Sequence, residues 1–412
     1  MSYESLTLPS GLKVVLKQAD SPVVFCGIVV GAGTRHEQTG EEGLAHFCEH
    51  LSFKGTHRRT AVQIINALEG VGGELNAFTT KEDTVYYAAI TRQHLRRAVD
   101  VLCDIVFESQ YPQHEVEKEC EVVCDEIESY EDTPAELIFD EFENLLFEGH
   151  PLGHNILGSA ERVRSYTQTD AQRFSARFYR PNNCVFFASG RVEMAELCKM
   201  LAQARQETAV GSDAPSATPA PVTTFAGGST GTTVTRHRGT HQAHVMLGTR
   251  TFPATDPRRW SLFLLNNILG GPGLNSRLNL SLRERRALVY TVESQMVTYS
   301  DTGLWSVYFG CDSTDVRRCL RLVRRELDRL IEKPLSDVAL AKAKRQLRGQ
   351  LAIASENREQ FSLDMAKTFL HEHRLHRLED VLERVDALTA SDLQQTAREL
   401  FSPERLTTLV YD

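Results

Sequence analysis

The stretch Gly43-Leu-Ala-His-Phe-Cys-Glu-His-Leu-Ser-Phe-Lys-Gly55 contains the pattern His-x-x-Glu-His, formed by His46, Glu49 and His50. On a helix, residues four positions apart are separated by about 400° of rotation, so both imidazoles project from one face, one turn apart. Such a pair can bind a single metal ion. Glu49 directly precedes one histidine, close enough to contact a metal-bound water yet poorly placed to be a ligand. The pattern predicts a metal site with Glu49 as its general base.

The composition is that of a globular protein with more than one domain. The chain has 412 residues, of which 41% are hydrophobic, enough to build full cores. A net charge of −9, spread along the chain, gives no support for binding to nucleic acid. We expect no export signal, because the N-terminal residues lack a basic segment followed by an apolar core, and no membrane-spanning helix, because no apolar run approaches the required length of about 20 residues. We expect a soluble, cytoplasmic protein with no membrane contact.

The cysteines indicate a reducing compartment, because they are odd in number, nine in all, and scattered among apolar neighbours. Cys120 and Cys124 lie one helical turn apart, but no second cysteine pair completes a metal site. We expect these two to be free thiols, buried or half-buried.

Residues 208–232 are rich in Ala, Pro, Thr, Ser and Gly, which predicts a linker between an N-terminal domain, 1–207, and a C-terminal domain, 233–412. The two halves share one order of elements. The first half is predicted to contain strands at 23–30, 74–78 and 84–90, with helices around His46 and at 61–71, 92–107 and 116–147. The second half is predicted to contain strands at 244–248, 288–297 and 303–309, a segment at 276–284, and helices at 258–269, 316–331 and 335–354.

This arrangement of hairpin strands and long helices predicts the α+β class, with two tandem homologous domains. Each domain is expected to be an antiparallel sheet with helices packed on one face. The second half has Trp260-Ser-Leu-Phe-Leu-Leu-Asn-Asn267 where the first has the metal motif. The C-terminal domain is therefore expected to be inactive by itself.

A catalytic zinc commonly has three protein ligands and an open fourth position, so a third ligand is needed. The predicted helix at 116–147 offers many carboxylates, among which spacing alone does not choose. The chain resembles the inverted zinc metallopeptidases, which include pitrilysin, insulysin and mitochondrial processing peptidase, and it is similar to their short two-repeat bacterial members. In that family the third ligand is a glutamate about 76 residues after the second histidine, with another functional glutamate seven residues before it. Glu126 and Glu119 match these positions.

The resemblance therefore implies one Zn²⁺ per chain, held by His46, His50 and Glu126, with Glu119 supporting the site from outside the ligand set. It also covers residues 72–87, where Asn76, Ala77 and Phe78 would line an edge strand to which a peptide substrate adds.

Beyond the linker, Arg283 and Tyr290 match a family arginine and tyrosine, seven residues apart, that bind substrate and stabilise the tetrahedral intermediate. Val289 stands where the family usually has glycine.

The resemblance implies a zinc-dependent metalloendopeptidase that hydrolyses peptides or unfolded protein segments. Family members assemble four repeats and this chain supplies two, so we expect a dimer, most simply a homodimer. A heterodimer with an inactive homologue is the alternative, and Arg283 and Tyr290 act either in their own subunit or in the partner. The rival class is a non-catalytic scaffold subunit. Scaffold relatives lose metal ligands, whereas this chain has every expected one.

Overall fold

The computed structural model describes residues 3–204 and 231–412. These residues form two compact units. The first contains the described parts of Met1–Glu128, His154–Pro221 and Ser355–His376, and the second those of Ser129–Gly153, Val222–Ala354 and Arg377–Asp412. Each unit thus includes a segment from the opposite half of the chain. Nearly all of the predicted linker, 208–232, lies outside the described residues, so the predicted domain limits stay a prediction.

The first unit is built on a six-stranded sheet with strand order β1-β2-β6-β3-β5-β4. Its strands are β1 (Tyr3–Thr7), β2 (Lys13–Gln18), β3 (Val23–Val30), β4 (Glu74–Thr79), β5 (Thr84–Thr91) and β6 (Cys184–Gly190). Strands β2 and β6 run parallel, and the other neighbours run antiparallel. Strand β4 lies at one edge and pairs only with β5 among the described strands, with Asn76 of β4 opposite Tyr87 of β5.

The second unit is built on a five-stranded sheet with strand order β7-β11-β8-β10-β9. Its strands are β7 (Thr233–Arg236), β8 (Ala243–Thr251), β9 (Val289–Thr298), β10 (Gly303–Cys311) and β11 (Thr407–Tyr411). Only β7 and β11 pair in parallel among these described strands. Strand β9 is an edge strand, as β4 is in the first unit.

Fourteen α-helices lie in the described residues. In chain order they are α1 (Leu44–Leu51), α2 (Ala61–Glu69), α3 (Leu95–Phe107), α4 (Gln113–Glu131), α5 (Pro134–Leu146), α6 (Ala160–Arg164), α7 (Gln168–Phe178), α8 (Met194–Ala204), α9 (Arg259–Gly270), α10 (Val316–Glu332), α11 (Asp337–Ala354), α12 (Arg358–Glu372), α13 (Leu378–Ala387) and α14 (Ala390–Leu400).

Both faces of the first sheet are buried, because alternate side chains of a strand point to opposite sides. Val14 and Leu16 of β2 belong to a core that includes residues of α1, α3, α4, α7 and α8. Val15, between them, packs in a second cluster with Leu363 and Ala366 of α12. Helix α12 therefore covers the face of the sheet opposite to the motif helix.

The second sheet is covered in the same way. Val245 and Trp305 face a core that includes residues of α9, α10, α11, α13 and α14. Met246 and Tyr308, on the opposite face, pack with Phe142 of α5. In each unit the second face is thus covered by a helix from the other half of the chain.

The predicted α+β class and two-domain organisation are confirmed. Two details differ from the prediction, since each sheet includes one parallel pair of strands and has helices on both faces. The single helix predicted at 116–147 is two helices, α4 and α5. Pro134 occupies the first turn of α5, where its missing N–H costs no hydrogen bond.

All nine cysteines are free thiols, and Cys120 and Cys124 are buried, as predicted. Across residues 3–204 and 231–412, no helix has the length and apolar character needed to cross a membrane.

Candidate metal centre

Helices α1 and α4 bring three side chains of the first unit together. Nε2 of His50 lies 3.4 Å from Oε2 of Glu126, and Nε2 of His46 lies 3.8 Å from Oε1 of the same carboxylate. One ligand atom from each of the three residues lies within 4.8 Å of the others. No other group of three or more His, Cys, Asp and Glu side chains in the described parts of the chain has this arrangement.

The three side chains fit a zinc ion. Zinc bonds to imidazole nitrogen and carboxylate oxygen are about 2.0–2.2 Å long, so neighbouring tetrahedral ligand atoms lie about 3.4 Å apart. The separations of 3.4 and 3.8 Å match this value to within a few tenths of an ångström. Two imidazoles and one carboxylate are also a donor set used by catalytic zinc sites.

Glu119 orients one of the two imidazoles. Its Oε1 lies 2.9 Å from Nδ1 of His50, and its Oε2 lies 2.6 Å from Nζ of Lys54. With Nδ1 donating to this carboxylate, a neutral His50 has its lone pair on Nε2, the atom that faces Glu126. Glu119 thus lies next to the cluster without being one of its three members, as the resemblance implies.

The two histidines differ in pKa. Burial, together with the neighbouring His50, lowers the pKa of His46 to about 4. Burial also disfavours a charge on His50, but hydrogen bonds to Glu119 and Glu126 outweigh it and raise the pKa of His50 to about 9. Without a metal, His46 is therefore neutral at pH 7 and His50 is protonated. Binding of a metal at Nε2 of His50 must release a proton.

Glu49 lies beside this cluster in a buried position, with 7% of the residue exposed. Its Oε2 accepts a hydrogen bond of 2.6 Å from Oγ1 of Thr79, at the end of β4. Burial raises the pKa of Glu49, while the Thr79 hydrogen bond and the His50 charge partly offset the effect. A carboxylate with a raised pKa is a better proton acceptor near neutral pH.

The start of α1 is held by a carboxylate, Glu37, that no sequence pattern indicated. Oε2 of Glu37 accepts a hydrogen bond from the Gly43 N–H at 3.0 Å, and Oε1 accepts one from the Ala45 N–H at 2.7 Å. Nε2 of His154 lies 2.9 Å from Oε2 of Glu37. Gly43 has φ of 91°, and a Cβ there would lie 2.6 Å from the Leu157 carbonyl oxygen. Glu37 therefore fixes the first turn of α1, directly before His46.

We expect Glu37→Gln to weaken zinc binding by about tenfold, because Glu37 holds the first turn of α1 that carries His46, and groups that orient metal ligands contribute about 10- to 100-fold to metal affinity. The substituted amide keeps the shape of the side chain, but its N–H₂ group cannot accept a hydrogen bond from Gly43 or Ala45. Competition with a zinc-binding dye measures the affinity. The neighbouring variant Glu42→Gln removes the same charge and is the control. Equal affinity in the two variants would mean that Glu37 does not position the metal ligands.

The three residues predicted to line the substrate lie on the edge strand β4. Asn76, Ala77 and Phe78 pair through the backbone with Tyr87, Tyr86 and Val85 of β5. Along the described strands β5 is the sole sheet neighbour of β4, so the outer edge of β4 is available for another strand. The hydrogen bond between Thr79 and Glu49 links the end of this strand to the motif helix.

The remaining two predicted residues lie in the second unit. Arg283 is in a helical turn before β9, and Tyr290, in β9, is 78% exposed. Both line a cavity of about 540 Å³, together with residues of α9 and α11. The structure thus brings these two hydrogen-bond donors to one cavity.

Comparison with known proteins identifies the family. Residues 13–160 match the model of insulinase, peptidase family M16, and residues 165–347 match that of the peptidase M16 inactive domain. A protein of Streptomyces coelicolor described as an uncharacterized zinc protease is 35% identical, over 96% of this chain and 86% of its own length. The chain belongs to peptidase family M16. The protein YmxG of Bacillus subtilis, also described as an uncharacterized zinc protease, is 29% identical over 98% of this M16 chain and 97% of its own length.

Solved structures show the same fold. A protease from Helicobacter pylori superimposes on this M16 chain with a TM-score of 0.91 at 22% identity, covering 100% of this chain and 99% of the other. A Pseudomonas fluorescens structure described as a peptidase M16 inactive domain gives a TM-score of 0.86 at 19% identity, covering 100% and 98%. The predicted family resemblance is confirmed. Membership of family M16 and the names of the relatives support a zinc-dependent peptidase.

Four residues around the M16 motif were not predicted from the sequence, namely Glu37, Lys54, Thr79 and His154. Lys54 and Thr79 lie within stretches that the motif and the family resemblance already marked. Glu37 lies six residues before Gly43, whereas the common capping box joins residues three positions apart, so no capping pattern indicated Glu37. His154 is separated from Glu37 by 117 residues, so no local pattern could have joined them.

Proposed function

We propose that this chain is a zinc-dependent metalloendopeptidase that hydrolyses peptides or unfolded protein segments. The observation that carries the proposal is the cluster of His46, His50 and Glu126 with the buried carboxylate of Glu49 beside it. Zinc bound to these three ligands would polarise the scissile carbonyl and lower the pKa of water toward about 7.

Proton transfer is assigned to Glu49. Its raised pKa and its position outside the ligand cluster suit a group that takes a proton from the attacking water. The same carboxyl then gives the proton to the leaving amine. Thr79 holds Glu49 in one orientation through its 2.6 Å hydrogen bond, and Glu119 does the same for His50 at 2.9 Å.

Substrate binding is assigned to the edge of β4. An extended peptide that adds to this edge gains main-chain hydrogen bonds that do not depend on its sequence. Asn76, Ala77 and Phe78 would contact its side chains. Because only an extended segment can add to a sheet edge, we infer that the substrates are peptides or unfolded segments rather than folded domains.

We assign to Arg283 and Tyr290 the role of donating hydrogen bonds to the carbonyl oxygen of the substrate. A guanidinium and a phenol are donors that stabilise a developing oxyanion more than a neutral carbonyl. Since the chain supplies two of the four repeats seen in the family, we infer a homodimer, and these donors would serve a site in either subunit. The cytoplasm is the compartment we assign, because it keeps nine free thiols reduced.

Three measurements on the purified chain test the proposal: zinc content, mass in solution, and cleavage of a quenched peptide. We expect one zinc per chain, a homodimer and cleavage that a chelator abolishes and zinc restores. Zinc binding without cleavage would favour the scaffold or an obligate heterodimer, and added cell extract that restores cleavage would select the heterodimer. A chain that binds no zinc would disprove the proposal.

A further inference from the structure

The second unit contains a cavity of about 410 Å³ that is separate from the cavity lined by Arg283 and Tyr290. Its walls come from the segment around 277–285, the C-terminal end of α10 and the N-terminal end of α11. The charged side chains in these walls are Arg277, Arg285, Glu326, Arg329 and Lys333. The volume falls in the range of about 300–1,000 Å³ that is typical of small-molecule sites.

The charge of this cavity is unbalanced. Four cations and one carboxylate line it, which leaves an excess of three positive charges. The carboxylate of Glu326 already pairs with Nη1 of Arg329 at 2.7 Å. No second acidic side chain is available in the walls to neutralise the other cations.

Arg277 is the most informative of the four. It is half-buried, and in the described residues its guanidinium has no hydrogen-bond or ion-pair partner within 4.0 Å. Burial lowers the pKa of Arg277, the Glu326 charge opposes this effect, and the weaker effect of the Arg329 charge adds to it. A charge that is partly withdrawn from water is unfavourable unless it is paired, so an anion in the cavity would stabilise this guanidinium.

Helix electrostatics explain only part of the cluster. Arg329 and Lys333 lie at the C-terminal end of α10, where cations are favoured by the helix dipole. Arg277 and Arg285 belong to another segment and have no such explanation. The N-terminal end of α11 also borders the cavity, but it adds little positive field, because Ser336 Oγ already accepts from the Ala339 N–H and Asp337 lies in the first turn.

We propose that this cavity binds a small polyanion that carries phosphoryl groups. Guanidinium groups form two parallel hydrogen bonds to phosphate oxygens, and Arg277 and Arg285 offer two such groups. A charge excess of three matches a polyphosphate better than a single carboxylate. The bound anion would connect three separate segments of the second unit and so stabilise it.

The test uses the zinc-loaded enzyme and inorganic pyrophosphate, measured by calorimetry and thermal unfolding at constant ionic strength. We expect saturable binding, and a rise in melting temperature of about 5 °C at about a hundredfold excess over Kd. Arg277→Gln should weaken binding by about tenfold or more. Arg317→Gln, which removes an exposed charge of α10 outside the cavity, should leave affinity unchanged.

Several outcomes would overturn the proposal. Equal effects of Arg277→Gln and Arg317→Gln would show general attraction of anions, as would binding that disappears at physiological salt. Equal affinity for citrate would contradict the preference for phosphoryl groups. Removal of zinc by pyrophosphate would also give heat, but Arg277→Gln would not change it, and zinc content measured afterwards detects it. If Arg277→Gln fails to fold, the exposed Arg285→Gln takes its place with the same expected loss.

Discussion

Replacing Glu49 by glutamine is expected to lower kcat by about 10³-fold while the protein keeps its zinc, because removal of a general base typically costs about 10²- to 10⁴-fold. The amide has the size of the carboxylate and can still accept the hydrogen bond from Thr79. It cannot take a proton from water. Hydrolysis of a quenched peptide gives kcat, and metal analysis of the same sample gives the zinc content.

Measuring kcat and zinc content separately distinguishes a general base from a metal ligand. Glu49 is not a member of the cluster formed by His46, His50 and Glu126, so its replacement should not release the metal. Glu69→Gln, an exposed carboxylate at the end of α2, is the control and should retain full activity. Undiminished turnover in Glu49→Gln would refute its role as the base. Loss of zinc would instead make it a ligand.

Replacing Glu126 by glutamine is expected to weaken zinc binding by at least about 100-fold, since even outer partners of metal ligands contribute about 10- to 100-fold. A neutral amide oxygen is a poorer zinc ligand than a carboxylate, and both histidines would lose their shared partner. Activity should fall with zinc occupancy and recover in part when excess zinc is added. Dialysis against buffered zinc, followed by metal analysis, measures the affinity.

Glu128→Gln is the matched control, because Glu128 lies on the same helix, is exposed and carries the same charge. It should bind zinc as tightly as the unmodified chain. If both variants lose zinc equally, the effect is general electrostatics of an acidic helix and Glu126 is not the third ligand.

The parts of the metal centre that follow from local geometry could be predicted from the sequence. His46 and His50 share a helix face because they lie one turn apart, and this needs no knowledge of the rest of the chain. Glu126 could not be chosen from spacing, since the surrounding helix contains several carboxylates. Only the family resemblance distinguished it, and the structure places its oxygens 3.4 and 3.8 Å from the two imidazoles.

The contacts that support the centre depend on tertiary structure. The hydrogen bond from Thr79 to Glu49 requires β4 to pack against α1, and the one between His154 and Glu37 joins residues far apart in the chain. The strands at 23–30 and 84–90 could be located because β-branched and aromatic residues dominate them. The placement of α5 and α12 on the second faces of the two sheets was not predicted. An amphipathic pattern shows which side of a helix is buried, but it does not show which surface that side packs against.

The exchange of α5 and α12 between the two units means that neither half of the chain is a self-sufficient folding unit. An N-terminal half produced alone would leave Val15, Val29 and Phe187 facing water, because α12 comes from beyond residue 350. A C-terminal half produced alone would leave Met246 and Leu409 uncovered, because α5 precedes residue 150. Such apolar surfaces promote aggregation. The two halves must therefore be produced as one chain for both sheets to be covered.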